Sequence, residues 1–147
     1  FTDVLVELRI PVDVSLYSSA VTQLFDHAHD RLEPYFGGTG GFLSSGTHEV
    51  EAIAFAKQRA DGVTERSKLI VVMTDGHPNA TAAVRAGADG LGDYFRGAFA
   101  PWLARSGIQL LCIGIGAAVD YHPHAVTVGG GWDALGPLGE ILARLVV

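Results

Sequence analysis

Three features of this 147-residue chain predict an α/β fold with a doubly wound, mainly parallel sheet flanked by helices. First, two apolar runs, Leu69 to Met73 and Ile108 to Ile115, lack the alternation of a half-wet strand, which marks strands covered on both faces. Second, helical patterns fall between and around those runs, so strands and helices alternate along the chain. Third, the first run ends in Thr74-Asp75-Gly76-His77-Pro78. That places a carboxylate at the carboxyl end of a strand, where open α/β sheets hold their ligands. Gly76 permits a sharp turn there, and Pro78 stops the strand.

Taken in order, Val4, Val6, Leu8 and Ile10 alternate with Leu5, Glu7 and Arg9 and predict a strand ended by Pro11. Ser18 or Ser19 is placed to cap a helix, with Val21, Leu24, Phe25, Ala28 and Leu32 at helical spacing and Pro34 ending it. Glu33 to Gly46 holds five glycines and one proline and reads as a loop. His48 to Ala60 predicts a packed helix, with Glu49 and Glu51 suited to its positive end and Thr47 at its start. The strand through Thr74 follows. Ala80 to Ala86 forms a short helix, Gly87 to Gly92 interrupts it, and Tyr94 to Arg105 resumes it, with Pro101 in the first turn of the last piece. The strand Ile108 to Ile115 leads through a loop to a short strand, Ala125 to Val128. Asp133 to Val147 closes the chain as a helix.

Composition narrows the function classes. Hydrophobic residues at 48% and charged residues at 18% exclude a disordered chain, and no uncharged run approaches the ~20 residues of a membrane span. A net charge of -6 without a Lys/Arg cluster argues against a nucleic-acid surface. The single cysteine, Cys112, lies within an apolar run and reads as a small core residue in a reducing, cytoplasmic compartment. The length suits one domain over residues 1–147. The chain starts at Phe1 without a signal-peptide pattern, and a piece of a longer protein, truncated at its N-terminus, is expected.

Lys68, the run Leu69 to Met73, and Thr74-Asp75-Gly76 with Pro78, followed by Cys112-Ile113-Gly114-Ile115-Gly116, resemble the von Willebrand factor A domain. Within that superfamily the chain is similar to the C-terminal domain of CobT-type cobaltochelatase subunits. Glu51-Ala52-Ile53, Tyr94-Phe95, and the path from Ile113 through Asp120-Tyr121 to Ala125-Val126-Thr127 carry this likeness, over about Ser45 to Val147.

The resemblance implies a metal-ion-dependent adhesion site built from three loops, with hard oxygen ligands that suit Mg²⁺. By resemblance Asp75 takes the third-loop position and Thr47 the second-loop one, with Glu49 beside it. Asp13-Val14-Ser15-Leu16-Tyr17 offers Asp13 and Ser15 at the spacing of the first-loop motif, but Tyr17 stands where its last serine belongs. Only 34 positions separate Asp13 from Thr47, too few for the family's intervening elements. Two readings remain. Asp13 and Ser15 form a degenerate first loop, or Phe1-Thr2 ends an inner strand and the sheet's first strand lies outside this chain.

The resemblance also implies a non-catalytic module that docks through a Mg²⁺-bridged carboxylate onto an AAA+ ATPase within a hetero-oligomer for cobalt insertion into a corrin ring. The chain has no phosphate-binding Gly-x-x-x-x-Gly-Lys-Ser/Thr loop, so ATP hydrolysis falls to a partner. Two other readings stay open: an assembly module whose metal site has decayed, and a small hydrolase using Asp75 with His77 or the His122 and His124 pair. The hydrolase reading ranks last, because no nucleophile motif or paired carboxylates accompany those residues. Asp75 as a plain turn residue and Thr47 as a plain helix cap are the bland alternatives.

Overall fold

The computed structural model of the protein describes residues 11–17, 21–25, 48–76, 78, 87 and 89–129. The chain divides into two compact units, Phe1–Ala56 and Lys57–Val147.

In the first unit β1 (Val14–Tyr17) pairs antiparallel with β2 (Val21–Phe25), with Ser15 opposite Gln23 and Leu16 opposite Thr22. The register shifts between Val14 and Ser15. This corrects the helix expected from Ser18 or Ser19 onward, because Val21 to Phe25 is extended. Val21, Leu24 and Phe25 fit a helical spacing, but Val21 and Thr22 are β-branched and favour strand. The segment Val14–Tyr17 supplies a backbone partner with only three residues between the strands, and pairing outweighs a weak periodic signal. The expected strand Val4 to Ile10 and the remainder of the expected helix lie outside the described residues.

Helix α1 (Glu49–Asp61) begins in the first unit and lies one residue later than the expected His48 to Ala60. Its first turn closes with the Ala52 amide donating to the His48 carbonyl at 3.0 Å. Glu49 and Glu51 stand at the positive end of its dipole and Arg59 at the negative end. Val50 and Ile53, three apart, are buried, and Glu51 and Gln58 are exposed. Gly62 ends it, its amide reaching the Arg59 carbonyl at 3.1 Å.

The second unit is built on three parallel strands in the order β3 (Lys68–Thr74), β4 (Ile108–Ile115) and β5 (Ala125–Val128). Lys68 pairs with Ile108 and Thr74 with Gly114, while Cys112 pairs with Ala125 and Ile115 with Val128. All three strands fall where the sequence places them. Side chains alternate between faces, so Ile70, Val72, Ile108, Leu110 and Cys112 share one side. Leu111, Ile113 and Val128, with Leu69, Val71 and Val126, form a cluster on the other. Both faces carry buried apolar groups, and that is why the runs do not alternate.

The return from β3 to β4 passes through α2 (Leu91–Tyr94), a π-helical turn (Phe95–Phe99) and α3 (Ala100–Ala104), which packs on β4. Pro101 lies in the first turn of α3, as expected, and it also accounts for the π turn. A proline at 101 cannot donate to the Gly97 carbonyl, and its ring crowds that group. The chain widens just before it, and the Ala100 amide donates to Phe95, five residues back. Phe95, Phe99 and Leu103 point inward from this segment and are buried. Gly107, with φ +68, turns the chain into β4. The expected helices Ala80 to Ala86 and Asp133 to Val147 lie outside the described residues. No helix among the described residues is long and apolar enough to cross a membrane.

Lys57 shows how a charge is buried here. Its stem lies within the protein, its ammonium stands 4.7 Å from the Trp102 ring centre, and it bonds the Asp61 carboxylate one turn on at 2.5 Å. The Lys57 hydrogen bond, followed by its charge, holds the Asp61 carboxyl below the ordinary aspartate value. A depressed carboxylate adds stability above its unfolded pKa and loses it as pH falls through its folded pKa. Asp61→Asn is therefore expected to lower the melting temperature slightly at neutral pH and leave it unchanged at acid pH, flattening the acid limb by a small amount because the aspartate is half-exposed and its pair is screened.

Candidate functional site

Asp75 follows the last residue of β3 and is exposed at the carboxyl edge of the parallel sheet. Local geometry fixes the turn that presents it. The Gly76 amide donates to the Thr74 hydroxyl oxygen at 3.2 Å, and Thr74 itself is buried. Gly76 has φ +93, a conformation side chains resist, and a Cβ there would collide with the Ala117 methyl. The turn after β3 thus lies directly against the turn after β4.

The second turn is equally constrained. A Cβ at Gly114 would overlap the Ala117 carbonyl oxygen and press on both Val119 methyls at 3.0 Å. The Gly116 amide bonds the Val128 carbonyl at 2.9 Å, which ties the end of β4 to the end of β5. Beyond it, Arg96 of the π turn donates to the Asp120 carbonyl at 3.0 Å. Phe95 lies 5.9 Å from Tyr121 and 4.2 Å from His122, ring centre to ring centre. Two stretches that carry the resemblance, Tyr94-Phe95 and Asp120-Tyr121, therefore pack together.

Near Asp75 the surface is apolar as well as acidic. Met73 is 53% and Ile115 44% exposed, and the register puts both on one face at the strand ends. An exposed carboxylate on a rigid edge offers hard oxygen donors with an open side toward solvent. Mg²⁺ takes such a ligand, binding through one or two carboxylates and keeping several waters.

The other candidates have different surroundings. Thr47 and His77 lie outside the described residues. Glu49, in the first turn of α1, is fully buried. Asp13 is exposed just before β1, and Ser15 lies within β1 itself, half-buried and paired with the backbone of the next strand. Asp13, Ser15 and Glu49 belong to the first unit and Asp75 to the second. His122 is buried while His124 is exposed, so these two imidazoles do not share a surface.

Comparison with known proteins gives one family. Residues 41–147 match the family model described as the VWA domain of the cobalamin biosynthesis protein CobT. No curated protein and no solved structure matches the chain.

Proposed function

Since the chain belongs to the family of VWA domains of the cobalamin biosynthesis protein CobT, we propose that it is a non-catalytic, Mg²⁺-dependent docking module of a cobalt chelatase in the cytoplasm. The observation that carries this reading is Asp75, an exposed carboxylate fixed at the sheet's carboxyl edge beside the exposed apolar side chains of Met73 and Ile115. A metal-bridged contact needs a hard ligand with open coordination positions. A protein partner needs apolar surface around it to exclude water. Asp75 would hold the ion, and Thr47 and Glu49 join it by resemblance, with Asp13 and Ser15 as a degenerate first loop. Bound there, Mg²⁺ would supply a positive charge that accepts a partner's carboxylate.

The partner proposed is an AAA+ ATPase subunit, with which this module forms a hetero-oligomer that inserts cobalt into a corrin ring. In such an assembly ATP hydrolysis and ring chemistry belong to the other subunits. Nucleic acid and membrane are not among the partners, consistent with a net charge of -6 and no basic cluster.

An ion that binds only the folded state must raise the melting temperature, by about 2.7 kcal/mol of stability at a hundredfold excess over its Kd. Mg²⁺ is expected to raise the melting temperature of the protein and to support capture of the ATPase subunit. Asp75→Ala is expected to remove both effects. Equal capture in Mg²⁺ and in chelator would instead support a module that assembles by packing alone.

A further inference from the structure

The amino edge of the parallel sheet, opposite the edge that carries Asp75, gathers positive charge on an acidic chain. Lys68 opens β3 and pairs with Ile108, which opens β4. Arg66 and Arg105 lie just before those two strands and are exposed, and Lys68 is half-buried. The turns that carry them touch, because a Cβ at Gly107 would stand 3.1 Å from the Arg66 carbonyl oxygen. The end of α1 reaches the same place: after Lys57, the Ser106 side chain bonds Asp61 and the Lys68 charge acts on it. No run of consecutive Lys or Arg exists in the sequence, so the fold assembles this group from separate segments.

Their surroundings set these cations apart. Lys57 bonds Asp61, Arg96 bonds the Asp120 carbonyl, and Arg59 is engaged as well. Among the described residues no ion pair takes up Arg66, Lys68 or Arg105. The balance of charge points the same way. Lys57, Arg59, Arg66, Lys68 and Arg105 against Asp61 and Glu65 leave this edge three net positive charges, and with a total of -6 the rest of the chain carries -9. A field of one sign on a molecule of the other steers an anionic partner to that edge.

We propose that Arg66, Lys68 and Arg105 form a docking surface for a carboxylate-rich segment of a partner protein, independent of the Mg²⁺ reading. Guanidinium groups meet carboxylates through paired hydrogen bonds, and a lysine adds a point charge beside them. Asp61 and Glu65 stand among the cations, which repels a continuous phosphate backbone and favours spaced carboxylates. The seven residues of β3 put this surface about 23 Å from Asp75, so occupation of one edge leaves the other open.

The test is fluorescence anisotropy of a labelled oligoglutamate peptide with the whole chain, at low salt and in chelator. Saturable binding is expected, absent for an oligoglutamine peptide of the same length. It fades as salt rises, because exposed charges are screened beyond about 10 Å at 0.1 M. Arg66→Gln combined with Arg105→Gln weakens binding about tenfold, while Arg96→Gln, a cation elsewhere on the surface, leaves it unchanged. If the glutamine pair fails to fold, chemical-shift changes in the unsubstituted protein locate the peptide, and they centre on residues 66–68 and 105–107. Absence of oligoglutamate binding, equal binding of oligoglutamine, equal binding by the glutamine pair, shifts centred elsewhere, or tighter binding of an oligothymidylate would overturn the surface.

Discussion

Phe95→Ala is expected to destabilise the protein by about 3–5 kcal/mol, read as a shift of the urea midpoint at unchanged slope. Phe95 is fully buried and meets Phe99 edge-on at 5.3 Å, Tyr94 at 5.9 Å, Tyr121 at 5.9 Å and His122 at 4.2 Å. Truncation removes the ring from the centre of that group and leaves a cavity bounded by rigid side chains, which collapse poorly into it. The π-helical backbone adds to the cost, because a turn widened around Pro101 has few other ways to relax. A loss of this size is a large part of a typical stability of 5–15 kcal/mol. Phe95→Leu separates the components. It keeps most of the apolar volume and forfeits the ring contacts, each worth about 0.5–1.5 kcal/mol beyond area, so roughly half of the alanine effect is expected. If Phe95→Leu costs almost nothing, the ring geometry is immaterial and only burial matters; if both variants cost the same, the ring contacts carry the whole effect.

The sequence made the parallel sheet legible because β3 and β4 carry buried or partly buried apolar groups on both faces and leave uninterrupted apolar runs, a signal that depends on no distant residue. The place of Asp75 followed from the same run, since a strand's end is visible where Gly76 and Pro78 break it. Pro101 marks a helix start for a local steric reason, whereas the widening of the turn before it depends on where Phe95 is anchored and leaves no local signal. β2 departs from the helical expectation for the opposite reason. A five-residue segment carries too few periods to separate strand from helix, and what decides it is pairing with β1, which no residue within Val21 to Phe25 records. The His122-Pro123-His124 stretch suggests two histidines acting together where the structure separates them by burial.

Gly114→Ala is the second large effect, and it bears on how Asp75 is held. Gly114 has no need of glycine for its backbone angles, since its φ lies outside the left-handed region; it is glycine because of what stands beside it. The added methyl meets the Ala117 carbonyl oxygen, a backbone atom, and both methyls of buried Val119. Overpacking of this kind costs about 1–3 kcal/mol, and the upper end is expected because backbone must move. Gly116→Ala is the control. Gly116 has φ +69 but nothing within 4 Å of its added Cβ, so it should cost only the conformational penalty, about 1–2 kcal/mol. The two variants should also separate in Mg²⁺ response. Ala117, displaced by a methyl at 114, is the same residue that packs on Gly76 beside Asp75. Gly114→Ala therefore shifts the edge that presents the carboxylate and is expected to weaken the Mg²⁺-induced rise in melting temperature beyond its own destabilisation. Gly116→Ala should lower the baseline melting temperature and keep the Mg²⁺ increment. If both variants keep the full increment, Asp75 does not depend on the packing of the two turns, and the ion is held by some other edge of the protein.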